Sequence, residues 1–271
     1  AKYTVDLSSP LNNVVTLNVK DVVVSSAGSV SLIKQDAGGW NLITGKSLAG
    51  AVCRVEYYDR TDIRSTSNLS ALNSASPKAS VNLVTNTSGT VTISINTLKS
   101  ADKNGYFSKL NALPLGTYKV TEISAPSGYL ASDKPLVIYV ADGGGNALIG
   151  YVYDSSVYMM RSNSEIVMNE QAKTGFYSPN KSAAANSVLI DGVHSLNGTK
   201  YGIYYKAYDR LVCTVTFDSN GDLSEVEYDS MVKPYTVWKP GDKGIELAEG
   251  DYYAKEQSSG RWFFVDSAVY E

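Results

Sequence analysis

An all-β sandwich is the fold class this sequence predicts, and three observations predict it. Val, Ser and Thr are plentiful and Tyr occurs 20 times; β-branched and aromatic side chains suit the half-buried surface of a pleated sheet. Short alternating runs are separated by Gly, Asn, Asp and Ser, the pattern of many strands joined by tight turns, and 22 glycines are available for those turns. Few segments carry the apolar stripe of a helix. With 271 residues, 43% of them hydrophobic, the chain can bury a good core, and two domains are the natural organisation.

Charge and motifs exclude several function classes. The net charge of −3 shows no basic excess, so neither nucleic acid nor an anionic membrane is expected as a partner. No apolar run approaches the roughly 18–20 residues that span a bilayer. Neither a signal peptide nor a sorting tail is legible, and a mature or trimmed chain would lack both. No metal-ligand cluster, phosphate loop or nucleophile elbow is present, so no cofactor and no metal are expected. His194 lies in a loop-like Asp-Gly-Val-His-Ser-Leu stretch and reads as a surface residue. Trp40, Trp238 and Trp262 are scattered singly, which suits core positions better than a sugar platform. Cys53 and Cys213 sit in apolar strands and read as small buried hydrophobes, not as a disulfide.

The chain contains an imperfect internal repeat. Leu115-Gly-Thr-Tyr-Lys-Val-Thr-Glu122 and Glu249-Gly-Asp-Tyr-Tyr-Ala-Lys-Glu256 share the spacing Gly-x-Tyr-x-x-x-Glu. Upstream, Ser47-Leu-Ala-Gly-Ala-Val-Cys-Arg-Val-Glu-Tyr57 parallels Ser195-Leu-Asn-Gly-Thr-Lys-Tyr-Gly-Ile-Tyr-Tyr205. Asp102-Lys-Asn-Gly105 and Asp218-Ser-Asn-Gly221 read as hairpin turns. Two copies of one β-unit are therefore predicted, at 25–172 and 173–271, with residues 1–24 as a separate terminal strand pair. The first copy is longer, because the Ser-, Asn- and Thr-rich stretch 61–90 reads as an insertion of loops with one or two extra strands.

The string Leu113-Pro-Leu-Gly-Thr-Tyr-Lys-Val-Thr-Glu-Ile-Ser-Ala-Pro-Ser-Gly-Tyr129 resembles the E-box strand of Cna B-type domains, also called SpaA-like prealbumin-like domains, of Gram-positive pilins and surface adhesins. The resemblance implies tandem immunoglobulin-like β-sandwiches. It also implies an intramolecular isopeptide bond joining an early-strand Lys to a final-strand Asn or Asp, assisted by the E-box Glu. The early motif resembles Val30-Ser-Leu-Ile-Lys34-Gln-Asp36 and the late one Ile166-Val-Met-Asn169-Glu170, so the resemblance assigns Lys34, Asn169 and Glu122.

Strand parity is consistent with that trio. Lys34 alternates in phase with Val30 and Leu32, Glu122 with Tyr118 and Val120, and Asn169 with Val167, which predicts that all three point into the core. Polar groups buried without partners are costly, several kcal/mol for a charge. An amide bond would connect them. Desolvation lowers the Lys pKa and yields a neutral nucleophilic amine, while a buried Glu stays protonated, polarises the Asn carbonyl and shuttles protons. Such chemistry happens once, by proximity, and the chain is not expected to be a turnover enzyme. The alternative is an ordinary buried Lys–Glu pair with a hydrogen-bonded Asn.

The second copy offers Glu256, in phase with Tyr252 and Ala254, and an early Lys181 in Asn180-Lys-Ser-Ala-Ala-Ala-Asn186. After Phe263-Phe-Val-Asp-Ser-Ala-Val-Tyr-Glu271 the family would continue with two more strands, the last carrying Asn or Asp. Residues 3–21 resemble those strands, with Val15, Leu17, Val19 and Asp21 on one face, so Asp21 stands where the bond-forming residue belongs. This segment reads either as the tail of a preceding domain or as a donor strand pair completing another copy. The function expected is a structural subunit or stalk module of a pilus or adhesin fibre at the bacterial cell surface. Its partners would be other copies of itself or neighbouring domains. The alternative is an adhesin module that binds a host protein or glycan.

Overall fold

A computed structural model describes residues 27–143, 147–160, 165–182 and 196–257. Asp21 with the whole 3–21 segment, His194 and Trp262 lie outside the described residues. Among the described residues the architecture is all-β, as the composition predicts, with two short α-helices and one 3-10 turn at Thr66–Leu72.

Among the described residues the first half is built of β1 (Ser29–Asp36), β2 (Val52–Tyr58), β3 (Ala79–Val84), β4 (Thr90–Ser94), β5 (Gly116–Ser124), β6 (Tyr129–Leu130), β7 (Leu136–Asp142), β8 (Ala147–Tyr153), β9 (Ser156–Met159) and β10 (Ile166–Ala172). One sheet has the order β4-β1-β10-β6 and the other β3-β2-β5-β7-β8-β9. Their facing side chains interleave in a single core that includes Leu32, Val55, Tyr118, Leu136, Ile138 and Met168. Alternation along β1 and β5 delivers that core directly, since residues two apart share a face. β7 is buried on both faces: Leu136, Ile138 and Val140 join the main core, and Val137 packs with Tyr58, Ile63, Leu72 and Val152 in a second cluster. The 61–90 stretch therefore has a packing role: it contributes β3, and its Ile63 and Leu72 cover the outer face of the larger sheet.

One pairing stands apart from the rest. β1 and β10 are neighbours and run parallel, whereas the other strand pairs of these two sheets are antiparallel. The chain enters this half at the start of β1 and leaves it at the end of β10, so tension along the chain loads that pair in shear.

The second half has β11 (Thr174–Tyr177) paired with β15 (Ile245–Ala248), and a sheet β14-β13-β12-β16 made of β12 (Lys200–Tyr205), β13 (Arg210–Phe217), β14 (Leu223–Tyr228) and β16 (Tyr252–Gln257). Its core of Ile203, Val212, Cys213, Val215, Phe217 and Ile245 continues into Trp40, Ile43, Tyr129 and Ala172 from the first half. Trp40 and Ile43 lie on α1 (Trp40–Thr44), which is bracketed by Gly39 and Gly45, both left-handed. A Cβ at Gly39 would come 2.2 Å from the Met231 carbonyl oxygen, so a glycine is required where α1 meets the second half.

Asp218–Gly221 is a hairpin turn as expected: it links β13 to β14, with the Asp218 carboxylate accepting from the Asn220 and Asp222 amides at 2.8 and 2.9 Å. Asp102–Gly105 is not one. It follows α2 (Ile95–Ser100), a helix opened by a capping box in which Ser94 and Thr97 satisfy each other's backbone amides. Ile95 and Leu98, three apart, bury the helix against the core. Cys53 and Cys213 are both buried and both free.

Candidate functional site

Lys34 is 3% exposed and Glu122 is 7% exposed, so both point inward as their parity predicts. The two come from opposite sheets: Lys34 from β1, and Glu122 from β5, where it stands across from Cys53 in register with β2. Lys34 Nζ donates to Glu122 Oε1 at 2.9 Å. The other oxygen of Glu122 accepts from the Ser132 backbone N–H at 2.8 Å, which fixes the carboxylate's orientation.

Asn169 is not the third member of this cluster. Val167 is 41% exposed and Asn169 shares its outward face, while Ile166 and Met168 are buried. The inward residue is Glu170, 2% exposed, whose Oε1 accepts a hydrogen bond from Lys34 Nζ. The parity expected of β10 is therefore one residue out of phase. The signal that would have corrected it is in the string itself: one phase carries Ile166 and Met168, the other only Val167, and the face with more apolar surface takes the core.

The cluster thus places one ammonium between two carboxylates, with side chains of Lys34, Glu122 and Glu170 at 2%, 0% and 1% exposure. Burial alone pulls the Lys34 pKa down, but the hydrogen bonds and charges of Glu170 and then Glu122 outweigh it and hold it above the ordinary lysine value. This corrects the expectation of a lysine made neutral by desolvation; its ground state is an ion pair. Burial pushes the Glu170 carboxyl above the usual carboxylate range, opposed by Lys34 and reinforced by the charges of Glu122 and Asp36. Glu170 Oε2 is buried and has no hydrogen-bond partner among the described residues.

In the second half, Lys181 and Glu256 also approach each other, through a third group. Lys181 Nζ donates to the Tyr201 hydroxyl, which donates to Glu256 Oε2 at 3.2 Å. All three are partly buried. Among the described residues no group of His, Cys, Asp and Glu side chains is arranged to hold a metal ion. No helix among them is long and apolar enough to cross a membrane.

Residues 28–152 match the family described as SpaA, a prealbumin-like fold domain. No curated protein matches the chain. Among solved structures, the chain is similar to the Bacillus anthracis TIE protein, with 18% identity over 86% of this chain and 28% of that one, at a TM-score of 0.34. It is similar to a streptococcal ancillary pilin, with 16% identity over 54% of this chain and 29% of that one, at a TM-score of 0.28. It is also similar to GBS52, the minor pilin of Streptococcus agalactiae, with 12% identity over 85% of this chain and 90% of that one, at a TM-score of 0.26. The chain spans less than a third of the length of the first two of these proteins.

Proposed function

We propose that the chain is a structural subunit or stalk module of a bacterial surface fibre, with the first and last strands of its prealbumin-like domain tied covalently through Lys34. The observation that carries this reading is the buried cluster at the β1–β10 pair. Lys34 is held against two carboxylates at the point where tension would enter and leave the domain. A bond there lets force pass from β1 to β10 without shearing the sheet. The reaction is a single self-processing step, so the module has no turnover substrate. Single-molecule pulling on the full chain tests this. The 136 positions separating Lys34 from Glu170 should contribute no extension at any force below backbone rupture. Release of their full contour length would sink the proposal.

A second reading concerns the other half. β5 is an interior strand, flanked by β2 and β7, but its repeat partner β16 stands at the end of its sheet among the described residues. Beside it runs a groove lined by Phe176, Tyr177, Leu247 and Tyr253. Sheet edges accept added strands through main-chain hydrogen bonds. Residues 3–21 of a second copy would supply such strands and bring Asp21 to Lys181 and Glu256, linking subunits head to tail. A boiled denaturing gel of the purified chain should then show a ladder that collapses to monomer in Asp21→Ala. A wild-type chain that runs only as monomer excludes the covalent form.

A further inference from the structure

The acyl partner of Lys34 can be named from the geometry, given the reading of Lys34 as a cross-linking residue. For Asn169 to reach Lys34, β10 would have to slip by one residue, which turns every side chain on it to the opposite face. Ile166 and Met168, now 0% and 1% exposed, would go to solvent. At about 1.5–3 kcal/mol for each buried side chain of this size, that is a cost the inward turn of a single Val167 does not offset. The register already in place puts Glu170 where the reaction needs it. Its carboxyl is in hydrogen-bond contact with Lys34 Nζ, and its second oxygen is buried without a partner among the described residues.

We propose that Lys34 is joined to Glu170, not to Asn169, by an amide formed with loss of water. The step begins with transfer of a proton along the Lys34–Glu170 hydrogen bond. This converts the ion pair, which is the ground state, into a neutral amine and a neutral carboxylic acid, the reactive forms, whose formation burial of the site makes less costly than it would be in water. The Nζ lone pair then forms a bond to Glu170 Cδ. Glu122, in hydrogen-bond contact with Nζ from the facing sheet and pinned by the Ser132 amide, accepts a proton from the attacking nitrogen. It returns that proton to the hydroxyl on Cδ, the Cδ–O bond breaks with its electron pair, and the oxygen departs as water. Glu122 ends in the state in which it began. The product exchanges two buried charges and an unpartnered buried oxygen for one amide, whose N–H remains within reach of Glu122. Nucleophile and acid are held in contact by two neighbouring strands, which replaces a bimolecular encounter with an intramolecular one.

High-resolution mass spectrometry of the denatured full chain, with a proteolytic map, decides the matter. The expected result is a mass short of the sequence by one water, and a branched peptide joining Lys34 to Glu170. Asn169→Ala, on the exposed face, should lose water just as completely. Glu170→Gln should give the same branched product with ammonia lost in place of water, and Glu122→Ala should restore the full sequence mass. Loss of ammonia from the wild-type chain, with Lys34 joined to Asn169, would overturn the assignment to Glu170 while leaving the covalently tied domain intact. An unmodified wild-type mass would overturn both.

Discussion

Cys53 and Tyr201 occupy the same place in their respective sheets: each stands across from the glutamate of a Gly-x-Tyr-x-x-x-Glu strand, Cys53 from Glu122 and Tyr201 from Glu256. The small thiol leaves room for Lys34 to touch Glu122 directly, whereas the phenol fills that space and puts its hydroxyl between Lys181 and Glu256. Tyr201→Phe should therefore leave both charged groups without their common bridge. The expected loss is about 1 kcal/mol, read as a lower urea midpoint with an unchanged m-value. An unchanged midpoint would mean that the hydroxyl has no structural role.

Trp40 is fully buried in the core of the second half although it comes from α1 of the first. Trp40→Ala should cost about 3–5 kcal/mol in chemical denaturation, the range for emptying a large aromatic site. Trp40→Phe should cost much less. It keeps most of the apolar area and removes an indole N–H that has no hydrogen-bond partner among the described residues. Equal losses in the two variants would show that packing is not what makes Trp40 stabilising.

Much of this was legible in the sequence, and the failures have identifiable causes. The all-β class, the inward faces of Lys34 and Glu122 and the Asp218 hairpin follow from alternation and turn chemistry, which are local signals. Asn169 was misplaced because β10 carries apolar residues on both faces, Val167 on one and Ile166 with Met168 on the other. The face with two of them, Ile166 and Met168, is the one that meets the core, and the string alone carries that difference. Asp102–Gly105 looked like a hairpin because the turn motif is strong and α2 spans only six residues, too few to display a helical period. The contact of α1 with the second core could not be read at all, since it joins segments far apart in the chain.

Alkaline pH probes the contact between the two halves. Tyr235 accepts from the Ala172 amide at 2.8 Å and donates to Asp36 at 3.5 Å, and Tyr129 donates to Asp36 at 3.0 Å. Burial pushes the Tyr235 hydroxyl up to about 12. Burial and then the Asp36 charge raise Tyr129 well above the ordinary range. The folded state thus holds these phenolic protons more tightly than the unfolded chain, whose tyrosines titrate near 10. Stability from this source is complete below about pH 10 and is lost as pH rises through about 12. Unfolding midpoints measured across that interval should fall, and should fall less steeply in Tyr235→Phe. Parallel slopes in the two proteins would show that Tyr235 plays no part in the loss.

The covalent tie makes a stability prediction that separates it from the ion pair it replaces. Lys34 and Glu170 are 136 positions apart, and closing a loop of that length in the unfolded chain is worth about 5 kcal/mol in the chain-entropy model. Lys34→Ala is a poor probe, because it also strands two buried carboxylates and adds their desolvation to the measured loss. Glu122→Gln is the better one. It removes the proton carrier, so the amide does not form, and it leaves Lys34 and Glu170 as a charge-balanced pair. The variant should carry the full sequence mass and unfold about 5 kcal/mol more easily than wild type. Neither protein should respond to reducing agent, since both cysteines are free. A Glu122→Gln chain that lacks the bond yet matches the wild-type stability would show that the cross-link serves only under load, and that loop closure contributes nothing at equilibrium.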